Sequence, residues 1–161
     1  MMRLLYSCLA ATLLLATLAR AEEVGSFSND WTGNRIIVDA IPDPKIQGVT
    51  CHVTHFDRSI YDRLTKGKWF EDPSNTSIAC RQTGTIIIGG INLSRSGEDV
   101  FSERMSLVFK HIAVRRIYDR INDTLVYVTY SREVKDASAK MNVSTVTLHN
   151  ADPQWLSAKP K

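Results

Sequence analysis

Arg116, Tyr118 and Asp119 are the neighbouring residues with the clearest potential for chemistry. An arginine guanidinium binds a carboxylate or a phosphate through two parallel hydrogen bonds, and a tyrosine ring can form a flat wall beside it. The three residues are therefore candidate binding residues for an anion or a sugar acid. The structural alternative is that Arg116 pairs with a carboxylate such as Asp119 while Tyr118 fills the core.

Two histidines close to a cysteine raise the question of a metal site. His52 and His55 follow Cys51 within a run of residues that predicts a strand. In a regular strand the two histidines face opposite sides, so one ion does not easily reach both, and Cys51 is expected to be oxidised. We therefore predict no metal site and no cofactor.

The sequence contains none of the common catalytic motifs. There is no nucleophile elbow, no S-x-x-K, no glycine-rich phosphate loop and no H-E-x-x-H. We therefore predict no catalytic residue, although a small enzyme with an unrecognised site stays open as an alternative. The carboxylates of the charged segments are expected to be solvated, and they are Asp62, Glu71, Asp72, Glu98 and Asp99.

Residues 1–21 have the pattern of a secretory signal peptide. Arg3 gives a short basic start, the apolar stretch Cys8–Ala19 follows, and Ala19-Arg20-Ala21 is an A-x-A cleavage site. The apolar stretch is shorter than the roughly 20 residues that a membrane-spanning helix needs. We predict cleavage after Ala21 and no membrane span in the mature protein; an uncleaved anchor is the alternative.

Cleavage would remove Cys8 and leave two cysteines, Cys51 and Cys80. Because exported proteins meet an oxidising environment, these two are expected to form one disulfide. Two free thiols or a redox pair is the alternative, and no C-x-x-C spacing supports it.

Composition bounds the class of protein. The chain has 161 residues, 43% of them hydrophobic, which is enough for one globular domain with its own core. The formal net charge is +3, but removal of Arg3 and Arg20 leaves 18 of the 20 basic residues against 17 acids, a net charge of +1. Such a balance gives no strong field for nucleic acid, so we predict no nucleic acid partner.

Runs of β-branched and aromatic residues predict a mainly β domain, an antiparallel β-sandwich or small open barrel of about seven strands. The densest run, Arg104–Ser131, has a polar turn at Arg120–Asp123 and predicts a β-hairpin, although a helix over Met105–Arg116 also fits the spacing. Asp57–Asn75 would be one long disulfide-tied loop, either mobile or with one or two helical turns. The other predicted strands are residues 34–41, 49–56, 77–82, 85–88, 100–101 and 143–148.

Each end of the predicted domain carries a tryptophan. Glu22–Gly33 is polar apart from Trp31, and we expect an entry segment whose tryptophan docks on the core. The tail His149–Lys161 contains Trp155 and two prolines and is expected to fray.

Five short motifs span most of the chain after the signal peptide. They are Val49-Thr50-Cys51, Ile78-Ala79-Cys80-Arg81-Gln82, Ser106-Leu107-Val108-Phe109-Lys110, Arg116-Ile117-Tyr118-Asp119 and Leu125-Val126-Tyr127-Val128-Thr129-Tyr130-Ser131. In order and spacing these motifs resemble the CreA family of Gram-negative bacteria.

The resemblance implies a small exported protein from a family of uncharacterised function, whose name refers to catabolite regulation. It implies a periplasmic location and a single CreA-like domain over residues 22–161. We expect a soluble, non-enzymatic accessory factor of the envelope that binds a small molecule or an envelope protein. A small periplasmic enzyme and a structural envelope protein are the alternatives.

Overall fold

The structure is a computed structural model, and it describes residues 20–57, 59–66, 76–102, 112–132 and 141–160. Within these ranges the chain forms nine strands and one short helix, α1 (Ile60–Lys66). The strands are β1 (Glu22–Ser28), β2 (Arg35–Pro42), β3 (Ile46–Asp57), β4 (Ser77–Ile88), β5 (Glu98–Asp99), β6 (Ile112–Asp119), β7 (Thr124–Ser131), β8 (Met141–Thr147) and β9 (Gln154–Trp155).

The strands form two sheets. The five-stranded sheet has the order β1-β2-β3-β4-β9, and the four-stranded sheet has the order β5-β6-β7-β8. All neighbours are antiparallel except β4 and β9, which are parallel. The mainly β, largely antiparallel architecture of two sheets confirms the predicted fold class.

Strand β3 shows why the sequence folds this way. Its alternating residues Val49, Cys51 and Val53 are at most 1% exposed and face the core. Cys51 lies directly opposite Cys80 of β4, with 3.9 Å between their Cα atoms, and the two form a disulfide. The predicted inner face and the predicted cysteine pairing are both confirmed, and the bond ties together the two strands that flank α1.

Strands β6 and β7 form the predicted hairpin, in register from Ile112 opposite Ser131 to Asp119 opposite Thr124. The helix considered over Met105–Arg116 is excluded for its last five residues, which lie in β6. Its other residues lie outside the described part of the chain.

Three local predictions are wrong. Residues 22–28 form an edge strand, and Trp31 is 91% exposed instead of docking on the core. The tail does not simply fray, because β9 pairs with the end of β4. The short edge strand is Glu98–Asp99, whereas Val100 and Phe101 are buried in the core. Of the two alternatives for Asp57–Asn75, a short helix is present, and residues 67–75 lie outside the described part.

The two ends of the paired sheets differ in character. At what we call the turn end, the β2–β3 turn at Asp43 meets β6 and β7 through hydrogen bonds from Arg116 and Tyr127. At the opposite end, the loop end, the Asn142 amide of β8 donates to the Thr76 carbonyl just before β4, at 2.6 Å. The β1–β2 loop and α1 also lie at the loop end.

Candidate functional site

The predicted site residue Arg116 lies inside the protein at the turn end, with 2% of its side chain exposed. Its Nη1 atom donates to both carboxylate oxygens of Asp43 at 2.5 Å, and its Nη2 atom donates to Glu98 at 2.6 Å. The guanidinium therefore has carboxylate partners, but Asp119 is not among them. Asp43 is 73 residues away along the chain.

Two further residues complete this group. The Tyr127 hydroxyl donates to Asp43 at 2.7 Å, and the Lys45 ammonium donates to Glu98 at 2.5 Å. We call Asp43, Lys45, Glu98, Arg116 and Tyr127 the ionic cluster. The expectation that Glu98 is simply solvated is wrong, because its carboxylate joins the β2–β3 turn to β6.

The protonation states of the ionic cluster are set by its own members. Burial opposes the charge of Arg116, but the charge and hydrogen bonds of Asp43, together with Tyr127 and Glu98, outweigh burial and raise the pKa of the guanidinium. Burial also opposes the charge of Glu98, but bonds from Lys45, from a backbone amide and from Arg116 lower the pKa of this carboxyl. Burial and then the Asp43 charge raise the pKa of Tyr127, so its hydroxyl stays a donor. Two cations thus match two carboxylates.

A glycine allows β5 to bring Glu98 to this cluster. Gly97 has a φ of +62°, and a Cβ atom there would lie 2.1 Å from the Arg116 carbonyl oxygen. Only a residue without a side chain fits so close to β6 in this conformation. Gly97, directly before Glu98, therefore lets β5 approach β6 closely enough for Glu98 to join the ionic cluster.

The other two predicted site residues do not join Arg116 in one pocket. The Tyr118 hydroxyl donates to Asp123 at 2.7 Å, and its ring packs edge-on against Trp155 with 5.4 Å between the ring centroids. Asp119 alternates to the other face of β6, and its carboxylate accepts hydrogen bonds from the Ile121 and Asn122 amides in the turn. Tyr118 is therefore a packing residue and Asp119 a turn residue.

Tyr118 predicts a loss of stability at alkaline pH. Burial, together with the bond to Asp123, raises the pKa of Tyr118 from 10.0 to about 12. This raised pKa contributes to the free energy of unfolding below pH 10, and the contribution is lost as the pH rises toward 12. The reason is that the tyrosine of the unfolded chain loses its proton at a lower pH than the tyrosine of the folded protein. The free energy of unfolding, measured with urea across this range, should fall more steeply in the wild type than in Tyr118→Phe. Equal slopes would contradict the assignment.

Polar side chains line the inner face at the loop end. Asp39 of β2 is 7% exposed, and its carboxylate lies 3.3 Å from the Nε2 atom of His55. His55 lies on the same inner face of β3 as Val49, Cys51 and Val53. From the facing sheet, Thr129 of β7 and Asn142 of β8 follow the inward positions; the Thr129 hydroxyl donates to the Asn142 backbone carbonyl and accepts from its backbone N–H, while the Asn142 side chain bonds to Thr76. We call Asp39, His55, Thr129 and Asn142 the polar inner end.

The polar inner end offers the hydrogen-bonding groups of a small-molecule site. An imidazole can donate or accept, a carboxylate accepts, and hydroxyl and amide groups do both. Inner residues nearer the turn end, such as Leu125 and Val146, are apolar, at 0% and 5% exposure. The alternation of β3 predicted His55 on the inner face, but no local signal identified Asp39 as its partner, 16 residues earlier.

The predicted separation of the two strand histidines is confirmed, since His52 pairs with Ala40 on the outer face and His55 lies inside. Among the described residues, no group of three or more His, Cys, Asp or Glu side chains could hold a metal ion. The described residues also contain no helix that is long and apolar enough to cross a membrane.

The fold and its sites define a class: a disulfide-bonded two-sheet β protein with a buried ionic cluster at one end and polar inner groups at the other. The family model described as "CreA protein" matches residues 24–151. The chain belongs to the CreA family, as the sequence resemblance predicted.

Protein CreA of Escherichia coli strain K12 is 37% identical to this chain over 141 residues, which cover 83% of this chain and 88% of that protein. Protein CreA from the Escherichia coli strains O6:H1 (CFT073) and O157:H7 matches with the same identity and coverage. No solved structure matches the chain.

Proposed function

We propose that this CreA-family protein is exported to the periplasm of a Gram-negative cell and acts there as a soluble, non-enzymatic binding or accessory protein. Its ligand or partner binds at the polar inner end, beside the disulfide-tied segment. The observation that carries this proposal is the His55–Asp39 pair, which lies with Thr129 and Asn142 at the loop end, away from the ionic cluster.

The contrast between the two ends supports this location. At the turn end, the Arg116 guanidinium is bound by Asp43 and Glu98, so an external anion would have to displace a buried carboxylate. At the loop end, the His55 side chain keeps 18% of its surface exposed. Ligand sites of proteins are mostly apolar, with a small number of polar groups that fix the orientation of the ligand.

Two features support export. Residues 1–21 have the composition of a signal peptide, and β1 begins at Glu22, the residue that cleavage would leave first. The buried disulfide is of a kind that forms and persists in oxidising compartments.

Export predicts a defined product. Mass spectrometry of the protein from the periplasmic fraction should give a chain that begins at Glu22 and carries no alkylatable thiol, because Cys51 and Cys80 are bonded. A cytoplasmic variant without residues 1–21 is the control for fractionation. A product that retains Cys8, or that remains with the cytoplasmic fraction, would refute the export proposal.

A ligand site at the polar inner end predicts that one histidine substitution abolishes a thermal shift and another does not. The screen covers envelope metabolites, sugar acids and divalent metals. A ligand of the native state raises the melting temperature by mass action. The shift should persist in His52→Ala, on the outer face of β3, and fall below detection in His55→Ala, on the inner face. A shift that survives His55→Ala would place the ligand elsewhere.

One observation favours an enzyme as the second candidate. The carboxylate of Asp39 lies 3.3 Å from the His55 ring, an arrangement that can orient a histidine as a general base. Turnover of a compound that shifts the melting temperature, abolished by His55→Ala, would favour the enzyme over the binding protein.

A further inference from the structure

Four large apolar side chains are exposed at the loop end. Trp31 of the β1–β2 loop is 91% exposed, and Ile60, Tyr61 and Leu64 of α1 are 76%, 59% and 63% exposed. We call these four residues the apolar tip. They lie on two segments that are joined to each other, and none of them belongs to the core cluster.

The Trp31 loop is held rigidly. The Asp30 carboxylate accepts hydrogen bonds from the Thr32 amide at 3.0 Å, the Thr32 hydroxyl at 2.6 Å and the Asn34 side-chain amide at 2.7 Å. The side-chain bonds from Thr32 and Asn34 lower the pKa of Asp30 to about 2, so the loop keeps these bonds at neutral pH. The Asn34 side-chain oxygen then accepts the amide of Ser59, which precedes α1. Trp31 is therefore presented by an ordered loop.

Helix α1 points its apolar residues outward. Ile60, Tyr61 and Leu64 occupy neighbouring positions on the helix surface, since residues one and four apart fall within one stripe of about 100°. A surface helix normally turns such a stripe toward the core. Here more than half of each side chain is exposed, so among the described residues this stripe does not pack on the core.

We propose that the apolar tip inserts into the interfacial layer of a lipid membrane, so that the protein docks on a membrane surface without crossing it. The four side chains present roughly 600 Å² at most, less than the roughly 800 Å² per partner that a stable protein interface buries. Tryptophan and tyrosine prefer the headgroup region of a bilayer, and aliphatic side chains beside them add apolar area.

By sequence the two segments of the apolar tip carry no net charge, because Arg63 and Lys66 of α1 are matched by Asp62 and by Asp30 beside Trp31. Binding would therefore depend on the apolar side chains and change little with the content of anionic lipid. The proposal does not depend on binding at His55, because it rests on Trp31 and α1 alone.

Vesicle sedimentation tests the proposal. The disulfide-bonded protein, in the form isolated from the producing cells, is mixed with vesicles of phosphatidylethanolamine and phosphatidylglycerol. Trp31→Ser and Leu64→Ser should each weaken binding, Trp31→Ser by at least about tenfold. The matched control is Ile121→Ser, which removes a side chain that is 94% exposed in the β6–β7 turn at the other end of the structure. The control should bind as the wild type does.

Three outcomes would overturn membrane docking. The wild type could stay in the supernatant, or Trp31→Ser could bind as well as the wild type. Equal loss of binding in Trp31→Ser and Ile121→Ser would show that the apolar tip is not the site. Sedimentation velocity without vesicles is run in parallel, and self-association that Trp31→Ser abolishes would identify a second copy of the chain as the partner instead.

Discussion

Replacing Arg116 with alanine is expected to lower the free energy of unfolding by about 3–5 kcal/mol, because the change leaves the buried Asp43 carboxylate without its cation. Asp43 has a fully buried side chain and accepts two hydrogen bonds from Arg116 and one from Tyr127. The loss should appear in urea unfolding at neutral pH. Arg116→Ala should also loosen β5, since Glu98 loses its side-chain bond to β6 and keeps only the strand pairing.

Arg115→Ala is the matched control. Arg115 is the preceding residue of β6, but its side chain is 40% exposed on the outer face, where it pairs with Asp99 at 2.9 Å. An exposed pair of this kind contributes about 1 kcal/mol or less. If Arg116→Ala were as mild as Arg115→Ala and abolished ligand binding, Arg116 would be a binding residue, as its sequence context first suggested.

Gly48→Ala is expected to cost about 4 kcal/mol, from a strained backbone and a steric clash of about 1–3 kcal/mol each. Gly48 has a φ of +76°, and a Cβ atom there would lie 2.2 Å from the Thr85 carbonyl oxygen. This is the position where β3 and β4 change register, between Gln47 and Val49. The alanine variant must shift β4 locally, and its melting temperature and urea midpoint should both fall.

Gly90→Ala gives the corresponding control. Gly90 has no positive φ, and a Cβ atom there would have no neighbour within 4 Å. Its substitution should change the free energy of unfolding by less than about 1 kcal/mol. Similar stabilities for the two variants would contradict the account of the β3–β4 register change.

The parts of the fold that were predictable are those with a short-range pattern. The side-chain period of two along β3 identified Val49, Cys51, Val53 and His55 as one face, and the elimination of Cys8 left a single cysteine pair. The β6–β7 hairpin followed from two β-branched runs around a polar turn. For the strand face and the hairpin the information is local, whereas the cysteine pair followed from counting the cysteines that remain.

The parts that were not predictable depend on contacts between distant segments. The sequence Pro42-Asp43-Pro44 indicated only the end of a strand, because nothing local shows that Asp43 meets Arg116 and Tyr127. The position of Trp155 also depends on a distant partner, since β9 is placed by pairing with β4 and by the Tyr118 ring. Partners so far apart leave no periodic trace in the sequence.

The candidate site was misjudged for the same reason. Arg116, Tyr118 and Asp119 are close in sequence, yet each has its own structural partner. His55 and Asp39 lie on neighbouring strands, directly across from Ile37 and Val53, and only the β2–β3 register brings their side chains together. Polar residues on the inner face of a predicted strand are the signal that would have pointed to them.

The central claim is that ligands bind at the polar inner end, and the histidine ring signals in NMR spectra test it most directly. The compound with the largest thermal shift is added to the protein while the imidazole signals of His52 and His55 are followed. We expect the His55 signals to shift until the site is saturated while those of His52 stay in place. Unchanged His55 signals, with movement at the Arg116 guanidinium instead, would contradict it.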